Sequence, residues 1–294
     1  MALPFPLPLM HDRVTTLRAG IDPTMRGLEY GPSYSPLFPK SEGWNVIIVD
    51  HASQADLIEK YGQWGVATEK IEAVDVVLTD EAPIEMQLAH EIERLDYIVA
   101  SHVFEHLPNP ISFLRTSHQF LRPGGQLRLA IPDKRFCFDL LKPLSTAGEM
   151  IQAHLENRRK HTLGQYFDAL SLHSLKAGQG AFPAASGTED LSLQHDPNQV
   201  YQQAYSCFSV PHYVDIHAWT FTPSSFSAIM RLLNGSGLLD LTVDSITSDG
   251  MYEFFVTLRK PLAGSTADLD ASAKEKLCSD LISALQEERL IRFP

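Results

Sequence analysis

A regular alternation of strands and helices in the first half of the chain constrains its fold more than any other feature. Five apolar segments with strand character occur at residues 26–30, 44–50, 74–79, 96–100 and 126–131. Segments with a helical apolar period separate them, at residues 52–61, 83–94 and 110–121. Strands that alternate with helices across short turns predict a parallel sheet with helices on both faces.

The second half of the chain predicts an insertion followed by a hairpin. Residues 135–206 are mostly helical in pattern, and two further strand segments, 238–246 and 252–259, flank the turn signal Asp249-Gly250. We therefore predict one α/β domain over residues 1–264. Its seven-stranded sheet is mostly parallel and ends in an antiparallel hairpin, with a helical insertion at 135–217 after the fifth strand. An amphipathic C-terminal helix occupies 265–294.

Composition narrows the classes of partner and compartment. The chain has 24 Lys and Arg against 36 Asp and Glu, a net charge of −12, which disfavours nucleic-acid binding. Its three cysteines are far apart, which favours a reducing compartment, and we expect a cytoplasmic protein. No segment reaches the roughly 18 apolar residues of a membrane span. The opening "MALPFPLPLM" carries three prolines and no basic residue, so we expect an extended arm rather than a signal peptide.

An acid at the end of the second strand is the first chemical signal. In doubly wound sheets a carboxylate here accepts hydrogen bonds from a ribose, and Asp50 follows Gly31 at the expected spacing of about 20 residues. The residues after Gly31 are Pro-Ser-Tyr-Ser, so the GxGxxG pattern is absent. Without those glycines a pyrophosphate is difficult to accommodate, which disfavours NAD, FAD and a reductase function. A cofactor with a ribose but no phosphate fits better.

Several phrases of the sequence resemble one enzyme family. "LEYGPSYSP", "VIIVD", "LDYIVASHVFEHLPNP" and "FLRPGGQLRLAIPD" resemble motifs of the class I S-adenosylmethionine-dependent methyltransferases, and "YEFFVTLRK" resembles their last strand. The resemblance covers residues 25–134 and 218–260. It implies a Rossmann-like fold, S-adenosylmethionine as the cofactor and methyl transfer as the reaction. "IPDKRFCFD" and "DIHAWTFTPSSF" further resemble a bacterial branch often found beside glycosyltransferases, whose members are presumed to methylate sugars or other small metabolites.

The resemblance and the strand-end positions together imply a cofactor site. Asp50 would accept from the ribose, His51 would flank the adenine, and Asp80 or Glu81 would meet its amino group or simply cap a helix. Glu29 would hold the loop, contact the methionine ammonium through a water, or serve as a salt-bridged strand acid. The cofactor site as a whole comprises Glu29, Gly31, Asp50, His51, Asp80, Glu81, Ser101 and His102.

Catalysis and acceptor binding are assigned to residues near the insertion. Methyl transfer is an in-line displacement, and a hydroxyl acceptor needs a base, for which histidine is suited near neutral pH. The candidate bases are His102, His212 and His217, although each can equally be structural. Asp133, Arg135 and Asp139 would line the acceptor side. We predict no metal site, because His212, Asp215 and His217 do not have a standard ligand spacing, and Glu105-His106 is expected to brace its loop.

The acceptor itself is defined only by class. No (D/N)PPY-like motif follows the fourth strand, and the charge is unsuited to nucleic acid, so we expect a small-molecule or carbohydrate acceptor methylated on oxygen or nitrogen. No membrane partner is expected, and the charged helix from Ala267 offers a homodimer contact. The alternative is a non-catalytic methyltransferase-like binding protein, because Ser33 and Ser35 replace the later glycines of the first motif.

Overall fold

A computed structural model of the chain describes residues 12–79, 82–182, 189–248, 250–262 and 271–289. The strands of this part are β1 Gly27–Tyr30, β2 Val46–Asp50, β3 Val76–Val77, β4 Leu95–Ser101, β5 Leu121–Pro132, β6 Ser174–Lys176, β7 Leu191–Leu193, β8 Thr242–Ser248 and β9 Glu253–Arg259. The α-helices are α1 Arg13–Arg18, α2 Gln54–Gln63, α3 Ile84–Gln87, α4 Pro110–Phe120, α5 Ala147–Leu155, α6 Leu163–Ser171, α7 Val200–Ser209, α8 Pro223–Gly235 and α9 Ala271–Arg289.

Seven of the strands form one sheet in the order β3-β2-β1-β4-β5-β9-β8. The first five strands are parallel, whereas β9 pairs antiparallel with β5 and β8 antiparallel with β9. This confirms the predicted α/β fold with its seven-stranded sheet and antiparallel hairpin. The order of the strands reverses between β1 and β4, which places the switch point of the sheet beside the end of β1.

The core lies on both faces of this sheet because the central strands are buried on both sides. Leu28, Ile47 and Val49 pack on one face beneath α4 and α8, and Val46 and Ile48 pack on the other, with Leu17 of α1. Strands buried on both faces are typical of parallel sheets, and their continuous apolar runs are what the sequence shows.

Several element bounds differ from the predictions. The helix expected at 83–94 is the short α3 followed by a 3₁₀ turn, Ala89–Glu91, because Ile92 is 46% exposed and its apolar stripe does not continue into the core. The third strand is reduced to Val76–Val77. Pro123-Gly124-Gly125 lies within β5 rather than ending α4. The insertion also contains a two-stranded ribbon, β6-β7, that its polar sequence did not predict.

The C-terminal helix α9 packs against α8. Asp280 of α9 accepts hydrogen bonds from Ser227 and Arg231 of α8, both at 2.7 Å. Leu281, Ile282 and Leu285 remain exposed, so the homodimer contact stays a prediction. The N-terminal arm and Asp249 lie outside the described residues. Within the described ranges, no helix combines the length and the apolar character needed to cross a membrane.

Candidate functional site

The carboxyl ends of β1, β2 and β4 share one edge of the sheet, since the three strands are parallel neighbours. Gly31 follows β1, His51 follows β2 and His102 follows β4. The fold therefore brings these three predicted positions together at the switch point. Asp80 and Glu81, expected near the adenine, lie outside the described residues.

The loop after β1 depends on two residues in left-handed backbone. Gly31 has φ +60°, and a Cβ atom there would lie 3.1 Å from the Val103 side chain, so a side chain at this position would be strained. Ser33 also has a positive φ, 50°, at the position where the family motif has its second glycine. The loop thus keeps the conformation that glycine favours while carrying a side chain there.

Glu29 holds this loop from within the core. Its side-chain oxygens accept hydrogen bonds from the backbone N–H groups of Leu37 (2.7 Å) and Phe38 (3.0 Å). Glu29 is 2% exposed. The hydrogen bonds from the two N–H groups lower the pKa of its carboxyl, but burial outweighs them and raises the pKa to about 7. Of the roles expected for Glu29, the structure displays the loop-holding one.

Asp50 is buried beneath the same loop. Its Oδ2 accepts from the Ser33 N–H at 2.9 Å, and its Oδ1 accepts from the His51 N–H at 2.7 Å. The His51 ring lies beside it, with Nδ1 2.6 Å from Oδ1, and is half exposed at 51% while the Asp50 side chain is at 0%.

The chemistry of these residues suits a cofactor that contains a ribose, provided that the loop after β1 moves. A carboxylate has about four lone-pair sites, and two backbone N–H groups and the His51 Nδ1 already face those of Asp50, so it retains capacity for one further donor such as a ribose hydroxyl. Its side chain has no exposed surface, however, and Ser33 is bonded directly to it. Tyr34, the next residue, packs edge-on against Tyr61 at 4.8 Å. The loop must therefore shift before a ribose can reach Asp50.

The end of β4 begins a second part of the site, formed by histidines and carboxylates. His102 has φ +53°, and its Nε2 lies 2.8 Å from Glu253 and 3.1 Å from Arg13. Burial lowers the pKa of His102, but the carboxylates of Glu105 and Glu253 outweigh it and raise the pKa to about 9. His102 is therefore protonated near neutral pH, which disfavours it as a base. The neighbouring Ser101 hydroxyl is buried without a hydrogen-bond partner in the described part of the chain.

His217 is brought to this cluster from the far end of the insertion. The Glu105 carbonyl accepts from the Ala218 and Trp219 N–H groups, at 2.8 and 3.1 Å, which fixes the segment against the turn Phe104–His106. The His217 Nδ1 lies 2.6 Å from Asp139 Oδ2. Asp139 is itself buried and paired with Lys142 at 2.7 Å; burial raises the pKa of Asp139, but His217 and Lys142 outweigh it and hold the pKa well below its usual range.

The other predicted residues lie apart from this cluster. Asp133 is fully buried, and its two carboxylate oxygens accept hydrogen bonds from Nε and Nη2 of Arg135, at 2.8 and 2.5 Å. Asp133 and Arg135 therefore form a structural ion pair, whereas Asp139 lies in the histidine cluster. His212 is exposed and does not belong to the cluster.

A pocket of about 540 Å³ opens within the insertion, next to His217 at its far end. Its volume is that of a small-molecule site. The wall is formed by the segment 142–146, by α5 and α6, and by residues 217–220. Its polar side chains are those of Lys142, Ser145, Thr146, Glu149, Gln152, Arg158, Thr162, Gln165, Asp168, His217 and Thr220.

The chain belongs to the methyltransferase domain family, whose model matches residues 8–181. This confirms the predicted class of enzyme fold and, with it, S-adenosylmethionine as the cofactor. No curated protein sequence matches the chain.

Three solved structures show the extent of the structural likeness. A putative Zn-dependent alcohol dehydrogenase from Rhodobacter sphaeroides is 14% identical over 84% of this chain and 88% of that one, with a TM-score of 0.46. A SAM-dependent methyltransferase from Aquifex aeolicus is 14% identical over 82% and 85%, with a TM-score of 0.38. One from Methanosarcina mazei is 13% identical over 82% and 95%, with a TM-score of 0.41. These overlaps are partial, and the family match alone identifies the class.

Sequence reasoning missed the joint role of Glu105, His106 and Asp139. Glu105 and His106 were expected to brace a loop, and Asp139 to face the acceptor. Their meeting with His217 depends on a contact between residues about 75 to 110 positions apart, which no local pattern signals. The available signal was the concentration of histidine and acid in "SHVFEH" and "VDIHAW".

Proposed function

We propose that the chain transfers a methyl group from S-adenosylmethionine to a small polar acceptor, such as a sugar, seated in the pocket beside His217. The observation that carries the proposal is the position of that pocket. Its wall includes His217, and the cluster around His217 continues through Glu105 to His102 at the end of β4. The acceptor pocket and the cofactor edge are thus joined by one set of side chains.

The pocket supports an acceptor rich in hydroxyl groups. Asp168 of α6 lines the pocket, and its carboxylate has no hydrogen-bond or ion-pair partner within the described residues, so it can accept from a ligand. Burial raises the pKa of Asp168 from its usual value, with Lys142 opposing the shift. Gln165 adds a side-chain NH₂ donor to this wall, while the hydroxyls of Thr146 and Thr162 are engaged in the capping boxes of α5 and α6.

When bound, S-adenosylmethionine supplies a methyl group on a cationic sulfur; the acceptor heteroatom forms the new bond to carbon, the carbon–sulfur bond breaks toward sulfur, and the acceptor's proton leaves. The chain's own task is to orient the acceptor and take up that proton. Among the three candidate bases only His217 borders the pocket. Asp139 holds its Nδ1, which leaves Nε2 as the atom available to the acceptor side.

Gly31, Asp50, His51, Ser101 and His102 are the described residues that we assign to the cofactor edge. Asp50→Ala removes the acceptor for the ribose, and we expect S-adenosylmethionine affinity to fall about 10- to 100-fold, equivalent to about 1.5–3 kcal/mol for hydrogen bonds to a charged group. Titration calorimetry measures the change. Asp22→Asn is the control. Asp22 accepts hydrogen bonds from Thr24 in a turn near the start of β1, and asparagine at this position keeps a side-chain oxygen that can accept them. Unchanged affinity in Asp50→Ala would contradict this placement of the ribose.

A second candidate function is a binding protein that keeps the methyltransferase fold without the reaction. The observation that favours it is the complete burial of Asp50 under Ser33. The same titration separates the two functions. Heat from S-adenosylmethionine binding to the wild-type chain supports the enzyme, whereas no heat and no thermal protection would support the binding protein.

A further inference from the structure

Glu105 is a buried carboxylate whose oxygens make no well-formed hydrogen bond within the described residues. It is 1% exposed. Three histidine nitrogens face its Oε1 instead: His102 Nδ1 at 3.4 Å, His106 Nε2 at 3.6 Å and His217 Nε2 at 4.0 Å. An unsatisfied buried carboxylate is costly unless a cation or a donor completes it.

The spacing of these atoms is that of ligands around an ion rather than of hydrogen-bonded groups. Hydrogen bonds between N and O are usually about 2.7–3.2 Å long. Ligand atoms at about 2.0–2.1 Å from a tetrahedral zinc ion are about 3.4 Å from one another. The ligand atoms of Glu105, His106 and His217 all lie within 4.8 Å of one another, so a small contraction around an ion would bring them to bonding distance.

The outer nitrogen of each histidine faces a second carboxylate. His217 Nδ1 lies 2.6 Å from Asp139, His106 Nδ1 lies 2.8 Å from Asp215, and His102 Nε2 lies 2.8 Å from Glu253. Metal-bound histidines almost always have such a partner, which holds the N–H on the outer nitrogen and turns the inner lone pair toward the metal. In neutral rings of His106 and His217 with the N–H on Nδ1, the Nε2 lone pairs face the Glu105 carboxylate, an arrangement that a cation would stabilise.

The charge of the cluster also favours a divalent ion. Among the described residues, four carboxylates face the cluster and two permanently charged side chains pair with them, so two negative charges remain for the histidines or a bound cation to balance. The carboxylates belong to Glu105, Asp139, Asp215 and Glu253, and the cations to Arg13 and Lys142.

We propose that Glu105, His106 and His217 bind a divalent first-row transition metal ion. Imidazole and carboxylate ligands suit Zn²⁺ and the neighbouring metals of its row. The role of this ion in the reaction rests on the proposed function. An ion held by His217 lies at the wall of the acceptor pocket, where it would lower the pKa of an acceptor hydroxyl. His217 then acts as a ligand, and the ion replaces it as the group that promotes loss of the proton.

The metal alone provides the first test. The chain is stripped with a chelator, dialysed against Zn²⁺ and analysed for metal content; we expect one Zn²⁺ per chain. Co²⁺ in place of Zn²⁺ should give visible absorption bands stronger than those of the aqueous ion. A folded chain that takes up no Zn²⁺ after this treatment would overturn the proposal, and would show that protons on the histidines balance the carboxylates.

Isosteric variants test which residues hold the ion. Glu105→Gln and His217→Asn should each weaken Zn²⁺ binding by at least about 100-fold, and Asp215→Asn by about 10- to 100-fold as an outer partner. The Asp215 side chain is 68% exposed, so this variant keeps its fold and decides the matter if a ligand variant does not fold. His90→Ala is the control, since its ring is 66% exposed on a different turn, and it should bind Zn²⁺ as the wild type does.

The outcomes separate this inference from the proposed function. A chain that binds S-adenosylmethionine but no Zn²⁺ refutes the metal site alone. A chain that binds Zn²⁺ but no S-adenosylmethionine refutes the methyltransferase activity alone. Zn²⁺ binding that persists unchanged in Glu105→Gln, His217→Asn and Asp215→Asn would place the metal elsewhere and overturn the assignment.

Discussion

Two buried acids, Glu29 and Asp50, determine the shape of the loop that would meet the cofactor. Glu29 binds the backbone of Leu37 and Phe38 beyond the loop, and Asp50 binds Ser33 within it. All three hydrogen bonds come from backbone N–H groups, so they depend on the path of the backbone and not on the neighbouring side chains. This explains how the loop keeps its left-handed residue at position 33 without glycine.

The raised pKa of Glu29 predicts a pH dependence of stability. An acid with a pKa of about 7 in the folded chain and 4.5 in the unfolded chain binds a proton more tightly when folded. Its contribution to stability is therefore complete below pH 4.5 and falls as the pH rises to about 7. The shift corresponds to as much as about 3 kcal/mol.

Glu29→Gln tests this because glutamine does not titrate. We expect the free energy of unfolding of the wild type, measured relative to Glu29→Gln by urea denaturation, to be lower at pH 8 than at pH 5. The variant carries the pH dependence of all other groups and so serves as the reference. A difference between the two proteins that is constant, or that grows with pH, would contradict the raised pKa.

Among the helices, α8 depends most clearly on its first residues. Its N-cap Thr222 is fully buried, and its hydroxyl accepts from the Ser225 N–H at 3.3 Å while Ser225 Oγ accepts from the Thr222 N–H at 2.8 Å. This capping box fixes the start of a helix whose Phe226, Met230 and Leu233 are buried against the sheet. Pro223 follows this cap at the first helical position, where its fixed φ suits the helix and its missing N–H costs no hydrogen bond.

We expect Thr222→Ala to lower the free energy of unfolding by about 1–2 kcal/mol, because a buried N–H loses its acceptor. Thr222→Ser restores the hydroxyl and should recover most of the loss. Chemical denaturation of the three proteins measures the effect. A Thr222→Ala protein as stable as the wild type would show that the cap contributes nothing.

For the molecule as a whole, the sheet could be predicted from the sequence, and the histidine cluster could not. The strands are evident from short runs of consecutive apolar residues such as Val46 to Val49, because a strand that is buried on both faces of the sheet has an apolar residue at each position. The helix expected at 83–94 failed because Ile92, with the correct period, faces away from the core. Apolar periodicity is a property of the local sequence, whereas burial depends on which other elements of the fold pack against that segment.

The cluster escaped prediction for a related reason. Its parts come from the end of β4, from the segment after β5 and from the last residues of the insertion, and only the tertiary fold brings them together. The cofactor edge was easier, because parallel strands place their carboxyl ends side by side whatever the loops contain. The one surprise at that edge is that Asp50 is closed off by Ser33.

The proposed function depends most on whether the closed edge around Asp50 opens for the cofactor. A crystal structure of the chain with S-adenosylhomocysteine measures that directly. We predict ribose oxygens within about 2.5–3.2 Å of the Asp50 carboxylate, the Ser33 N–H displaced from it, and the sulfur facing His102 and the pocket beside His217. A ligand bound elsewhere, with Asp50 still bonded to Ser33, would contradict the proposed site.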